Sequence, residues 1–470
     1  MQWTDSRAVT SPIVTSSTPK RTAMKNALYI LRMTAFTLLA ACGSGESSAV
    51  SAVGGAKSTS WVGTKQLGVA NHITYGNAIA TDHSGNVYVT GSTKGGLDGN
   101  TKQGSTFDAF VTKYSSNGVK QFTRQFGVAG RETVGTAVVT DAYGDVYVIG
   151  YTTGGLEGNA MAGSTHDMFV TKYNGNGVRQ FTRQLGVAGE KKVGIGVAID
   201  ASGSVFVAGY TTGALDGHTM TGTVDAFYSK YNREGLHQFT RLLGVAGQET
   251  RGYGVSTDLS GNVFVAGYTE GSLDGNTLNG SADFFVTKYD SSGVKQFTRQ
   301  FGAVRSETVG TAVTTDVSGN VYVTGRTTGG LDGNTVTGTH DSFVTKYNRN
   351  GVMQFTRQLG AVGAETRGNE IAIDASGNVF VAGATGGALD GNARAGTDDF
   401  FVTKYNSDGG KQFTRQLGVT GRETDGNGVA IDANGNVFVV GATGGALDGN
   451  TLMGSFDFFV TKFNSNGVKQ

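Results

Sequence analysis

A hairpin signature of Asp, two residues, Gly and then a run such as Val-Tyr-Val or Val-Phe-Val occurs seven times, led by Asp82, Asp141, Asp200, Asp258, Asp316, Asp374 and Asp432. Successive copies lie 59, 59, 58, 58, 58 and 58 residues apart. A second signature, Asp-x-Phe-Val/Tyr-Thr/Ser-Lys, keeps the same step and ends in Lys113, Lys172, Lys230, Lys288, Lys346, Lys404 and Lys462. A fixed period held over nearly the whole chain demands a repeat architecture, in which each unit buries its apolar faces against its neighbours. Length alone would suggest about three domains for 470 residues, but the period overrides that prior.

Each unit carries four short β-patterned runs between turn residues. In the second unit they are residues 135–140, 146–152, 167–173 and 178–185. Ala142-Tyr143-Gly144-Asp145 joins the first pair and Asn174-Gly175-Asn176-Gly177 the second. Both are tight hairpin chemistry, with glycine supplying positive φ and an Asx side chain bonding its own turn. Four antiparallel strands per period make a propeller blade, so the expected fold is an all-β, seven-bladed β-propeller. The last unit stops where its fourth strand should begin. The missing piece is found near the other end, where Thr64–Ala70 matches Thr182–Ala188. The N-terminal strand is therefore expected to complete the last blade and remove two open edges, with Trp61 in the place of the repeating Phe122, Phe181 and Phe239.

The runs Gly-Asn-Val-Tyr-Val-Thr-Gly, Asp-Ala-Phe-Val-Thr-Lys-Tyr and Ser-Asn-Gly resemble the bacterial β-propeller repeat of the SBBP type, over residues 60–470. The resemblance implies a secreted or surface propeller and brings no catalytic residue with it. Composition agrees: the 76 glycines recur at fixed turn positions, and the two prolines, Pro12 and Pro19, both precede the repeats. A net charge of +1 with interspersed signs gives no reason to expect a nucleic-acid partner. Cys42 is the single cysteine, which excludes a disulfide framework within the chain.

Residues 1–41 read as a leader, with Met24 the better start of a signal peptide: Lys25 and Arg32 precede the apolar stretch Met33–Ala41. Leu39-Ala40-Ala41-Cys42 resembles the bacterial lipoprotein box, which implies lipidation of Cys42; the competing reading is an ordinary signal peptide with an incidental cysteine. The apolar run is too short to span a bilayer, so the expected membrane attachment is a lipid anchor. Gly43 does not match the inner-membrane retention signal of that class, which favours the outer membrane or cell surface. Residues 42–58 read as a flexible tether and 59–470 as the propeller.

Most recurring residues read as structural. Asp82 and its equivalents cap hairpins, and Phe110 and its equivalents fill space between blades. Arg124, Arg183, Arg241, Arg299, Arg357 and Arg415, with Lys65 as the seventh, are expected to pack their stems and find carboxylates such as Glu132, Glu249, Glu307, Glu365 and Glu423. The Leu-Asp-Gly-Asn loop has two readings. Asp98, Asn100 and Asp108, with their equivalents, are oxygen ligands that could hold Ca²⁺. The alternating carboxylate series of a strong calcium loop is missing, which favours a turn held by its own hydrogen bonds. No other cofactor is expected.

One irregularity falls on the strand expected to line the axis. Ala78, Ala137, Gly196, Gly254, Ala312 and Gly428 are small, and Glu370 occupies the same position in the sixth unit. It reads either as a ligand contact at the channel mouth or as a tolerated, solvated substitution. The six histidines show no ligand spacing, and no nucleophile elbow or phosphate loop is found. The leading expectation is a monomeric, non-enzymatic binding or scaffold module for a protein or glycan. The alternatives are a propeller hydrolase or lyase acting on polysaccharide or peptide, and a Ca²⁺-dependent adhesin. Any binding surface is placed on the face with the long, variable loops, where Lys102 and Arg394, with Glu370, are candidate contacts.

Overall fold

The computed structural model describes residues 60–162 and 165–470. The leader, Cys42 and the tether lie outside the described residues. Strands arrange in seven four-stranded antiparallel sheets, each in simple sequence order for the first six blades. In the second blade the strands are Thr133–Thr140, Val146–Thr152, Asp167–Tyr173 and Arg179–Leu185, within two residues of the runs read from sequence. The seventh sheet is composite. Lys65–Leu67 pairs with Asp457–Phe463, followed by Val437–Thr443 and Thr424–Ile431.

The hairpins follow from their residues. Asp82 Oδ1 accepts the amide protons of Ser84 and Asn86 at 3.0 and 2.9 Å, its Oδ2 accepts from Asn86 Nδ2 at 2.7 Å, and Gly85 sits at φ 74°. Every first strand carries a bulge, at Asn77 in blade 1. The bulge presses a first-strand carbonyl onto the second strand: a Cβ on Gly91 would lie 1.8 Å from Tyr75 O. Only glycine fits there.

Core clusters straddle the seams between blades. Val87 and Phe110 of blade 1 pack with Phe438 and Phe458 of blade 7, and Phe110 stacks on Phe458 with centroids 5.3 Å apart. Such offset aromatic pairs add about 0.5–1.5 kcal/mol beyond their buried area. A second set of contacts staples the outer strands. Arg124 Nε donates to Gly177 O of the next blade at 2.8 Å, with its guanidinium 4.9 Å from the centre of the Phe122 ring. Arg183, Arg241, Arg299, Arg357 and Arg415 repeat this geometry. This corrects the expectation of carboxylate partners. The phenylalanine two residues earlier stacks the guanidinium beside the neighbouring hairpin's carbonyl, while Glu307 and Glu365 pair with Arg326 and Arg367 elsewhere.

Closure repeats the staple with a different residue. Gly63 stands where Phe122 would be in register, and Trp61 reaches into the vacated place from two residues upstream. A Cβ on Gly118 would lie 3.0 Å from the Trp61 ring, just as one on Gly177 would lie 3.0 Å from Phe122. Trp61 is 3% exposed and meets Phe438 edge-on at 5.3 Å. Lys65 makes no bond to the neighbouring blade's carbonyl among the described residues; its Nζ donates to Val62 O at 3.0 Å.

Removing residues 60–70 should therefore uncover an unpaired edge on Asp457–Phe463 and the Trp61 socket together. The expected outcome is aggregation or a large fall in melting temperature, followed by light scattering and calorimetry. A soluble monomer with unchanged melting would refute closure by this strand.

Candidate functional site

The first strands line an axial channel of about 550 Å³, walled by Ala78, Ala137, Gly196, Gly254, Ala312 and Glu370. Small residues are required where blades converge: a Cβ on Gly196 would lie 2.5 Å from Tyr253 O. The bulge residues form a ring around this channel by clasping the next blade. Asn77 Nδ2 donates to Gly135 O at 2.8 Å, Thr136 Oγ1 to Gly194 O at 2.8 Å and Thr311 Oγ1 to Gly368 O at 2.7 Å. Asn369 donates to Gly426 O at 2.8 Å, and Asn427 closes the circle on Gly76 O at 3.0 Å. The two remaining bulge residues, Ile195 and Tyr253, make no such bond among the described residues.

Glu370 occupies the fifth position of the eight-residue strand Thr366–Ile373. It therefore stands within the channel, which corrects its placement at the mouth. Its Oε1 accepts the Ile371 amide proton at 2.9 Å. Burial pushes the carboxyl up to about 7, opposed by that hydrogen bond.

The loop-side mouth differs from blade to blade. On one arc Tyr75 lies between Phe107 and Phe456, with centroids 6.1 and 5.8 Å away, and Tyr151 packs on His166 at 5.3 Å. Arg251 covers Tyr210 at 4.4 Å, and Tyr253 and Tyr268 lie 5.8 Å apart at 45°. The other arc is charged. Arg326 pairs with Glu307 at 3.2 Å, and Arg367 with Glu365 and Asp425 at 3.3 and 3.2 Å. Oxygens of Asp398, Glu423 and Asp425 lie within 4.8 Å of one another. Burial, reinforced by a hydrogen bond with Glu423, raises Asp425 despite Arg367.

The residues singled out from sequence are not gathered into one place. Lys102 Nζ donates to Gly104 O, and Arg394 donates to Gly396 O and Thr397 O at 2.8 and 2.7 Å, so both fold back on their own loops. The Leu-Asp-Gly-Asn loop lies along the outer edge strand. Asp98 pairs with Lys120, Asn100 Nδ2 donates to Leu97 O at 2.8 Å and Thr123 O at 3.4 Å, and Leu97 is fully buried. Asp108, also fully buried, accepts from the Gln103 and Gly104 amides at 2.7 and 2.6 Å and from Gln125 at 2.8 Å. The three proposed calcium ligands each have separate protein partners.

One buried charge escaped the sequence reading. Six blades begin their first strand with a threonine paired to another threonine, as Thr133 is to Thr152 at 3.1 Å. Blade 3 has Lys192 instead, fully buried over the Phe227 ring at 4.6 Å, with Ser229 Oγ 3.4 Å from its Nζ. Burial pulls this amine down to about 7, with Asp216 and Asp167 opposing. The signal was present as Lys191-Lys192 in place of Glu-Thr.

Comparison with known proteins gives seven matches to the model of the SBBP beta-propeller repeat. They cover residues 62–98, 121–157, 180–215, 238–274, 296–332, 354–389 and 412–447. The regulatory protein FlaEY of Caulobacter vibrioides is 27% identical, over 80% of this chain and 45% of its own length, so the chain spans less than half of that relative. Among solved structures, an ulvan lyase of polysaccharide lyase family PL25 aligns at 11% identity and a TM-score of 0.47, covering 86% of this chain and 98% of that one. The WD40 beta-propeller domain of Doa1 aligns at 8% identity and a TM-score of 0.43, covering 86% of this chain and 97% of that one. Neither function is transferred.

Two pH-dependent outcomes follow. The Lys192 amine lies at about 7 when folded and at its ordinary value of about 10.4 when unfolded. The unfolded chain thus binds the extra proton between these values, and stability rises with pH across that window. Lys192→Thr should remove this rise and stabilise the protein at neutral pH by about 2–4 kcal/mol, read by urea denaturation at several pH values. Glu370 has the opposite sign: its folded carboxyl lies at about 7, above the ordinary carboxylate range, so its contribution is lost as pH rises toward 7. Glu370→Gln should flatten that decline and stabilise the protein above neutral pH by about 1–2 kcal/mol. A variant with an unchanged pH profile would show that the residue does not titrate as its surroundings require.

Proposed function

This chain belongs to the SBBP beta-propeller repeat family, and from that premise we propose that it is a non-enzymatic binding module, exported and held at the outer membrane or cell surface by a lipid on Cys42. The partner is captured on the loop side of the ring, at the mouth of the axial channel. One observation carries this reading: residues that differ between otherwise near-identical blades gather at that mouth. The equivalent second-strand positions hold Ser92, Tyr151, Tyr210, Tyr268, Arg326, Ala384 and Ala442. The first strand's matching positions hold Tyr75, Val134, Val193, Arg251, Val309, Arg367 and Asp425. The hairpins of the opposite face repeat one Asx-and-glycine formula.

A rigid scaffold presenting a varied, half-buried mix of aromatic and charged groups supports recognition. Function must be argued from a site, and the mouth is where this fold departs from its own repeat.

The full-length protein in detergent can be screened against arrays of glycans and extracellular proteins. Reversing Arg326 and Arg367 together to Glu should weaken whatever is captured by about tenfold or more, equivalent to 1.4 kcal/mol. Reversals in the opposite hairpins, Arg349→Glu and Asp408→Lys, should leave binding within about twofold. Loss of binding with the hairpin changes alone would overturn the assignment of faces. In the same cells, wild-type protein should incorporate labelled fatty acid and Cys42→Ser should not; label retained by the serine variant would end the anchoring claim.

A further inference from the structure

We propose that the seam between blades 4 and 5 is a subsite for one sugar ring of a neutral glycan. The inference rests on the loop side being the binding side and goes further by naming the ligand class and the residues that take it. The seam holds a pocket of about 250 Å³ lined by Tyr253, Tyr268, Glu270, Glu307 and Arg326. Its volume falls below the range of drug-sized pockets and suits a single ring.

Tyr253 is the unusual residue. It occupies the bulge position where five other blades use Asn or Thr to clasp the next blade. Its phenol makes no corresponding bond to Gly310 O among the described residues, and the residue borders both the seam pocket and the axial channel. Replacing a clasping residue with a half-buried aromatic does nothing for closure of the ring. What it does provide is an aromatic wall. Tyr268 supplies the second wall, 5.8 Å away and inclined by 45°.

The chemistry around these walls matches a carbohydrate. A sugar ring has an apolar C–H face that packs on an aromatic ring, and a rim of hydroxyls that need both donors and acceptors. Glu307 and Arg326, paired at 3.2 Å and each partly exposed, offer acceptors and donors side by side. Glu270 is exposed at the pocket's edge. Tyr268 Oη donates to Glu249, which also holds Arg251 at 2.6 Å, so that wall is fixed before a ligand arrives. Three carboxylates, Glu249, Glu270 and Glu307, face two guanidiniums, Arg251 and Arg326. That balance disfavours a polyanionic glycan and favours a neutral one. Because Tyr253 borders the channel as well, further sugar units have a route toward the axis.

The test is calorimetric titration of the full-length protein in detergent with cellohexaose, chitohexaose, mannohexaose and the acidic hexagalacturonate. At least one neutral hexaose should bind, and more tightly than hexagalacturonate. Tyr253→Asn and Tyr268→Ala should each weaken that binding by about tenfold or more. Asparagine is the residue blade 1 uses at this position, so Tyr253→Asn should melt at or above the wild-type temperature as it regains the clasp on Gly310 O. Loss of binding in that variant would then not be a loss of fold. The proposal is overturned if no neutral hexaose binds, if hexagalacturonate binds best, or if both tyrosine variants bind as wild type. Capture of a protein through Arg326 and Arg367 with all hexaoses silent would sink the glycan subsite and leave the loop-side reading standing. Binding lost only through Arg349 and Asp408 would sink both.

Discussion

The structure depends on burial of both faces of every blade against a neighbour. Each core cluster is assembled across a seam: Phe264, Phe284 and Val286 of blade 4 pack with Val321, Val323 and Phe343 of blade 5. An isolated blade would expose one face of such a cluster on each side. Repeats of an open array can add or lose a unit at modest cost, but a ring cannot, because every blade is a neighbour to two others. Closure by Lys65–Leu67 therefore completes the seventh sheet, and Trp61 fills the last aromatic socket. The inner clasps and outer Arg–Phe staples hold the seams at two radii.

The fold was legible in the sequence because every unit states it again. The period fixes the blade number, and Asp-x-x-Gly and Asn-x-x-Gly turns place the hairpins, so strand positions follow to within two residues. What failed to show depends on which neighbour a side chain meets after closure. Arg124 finds Gly177 O, a residue one blade away, and nothing local to Arg124 announces it. Trp61 lies two positions out of register with Phe122 and still reaches the same socket. The Leu-Asp-Gly-Asn loop has the composition of an oxygen-ligand turn, yet it covers the outer edge strand, with Asp98 and its six equivalents held at positive φ. The asymmetry of the mouth was legible as variation, but its division into aromatic and charged arcs needed the ring.

The departures from the repeat near the axis weaken the ring locally. Ile195 and Tyr253 interrupt the circle of clasps at adjacent blades, Lys192 buries an amine in the first of those blades, and Glu370 places a carboxyl within the channel. An ionisable group withdrawn from water without an opposite charge paired to it opposes folding unless it gives up its charge, which is the direction in which both are shifted. Five clasps and six threonine pairs remain, so a closed ring tolerates one defective seam better than a small domain tolerates a defective core. Redundancy is what permits local sacrifice of stability.

The same redundancy decides between two ways in which a propeller of near-copies could bind. Sevenfold repetition of a surface group would give avidity for a repeating ligand, provided the group were free to make contacts. Here the repeated polar groups are already engaged within the protein. Asp82 is committed to its hairpin, Asp108 to loop amides and Gln125, Arg124 to the next blade, and Asp98 to Lys120. Breaking those of the buried Asp82 and Asp108 to meet a ligand would leave buried groups unsatisfied, a cost of about 1–3 kcal/mol for each. The repeated chemistry therefore maintains the ring. On the proposed reading, recognition therefore falls to residues that depart from the repeat, such as Tyr253 and Arg326, which the ring holds in place without needing them for closure.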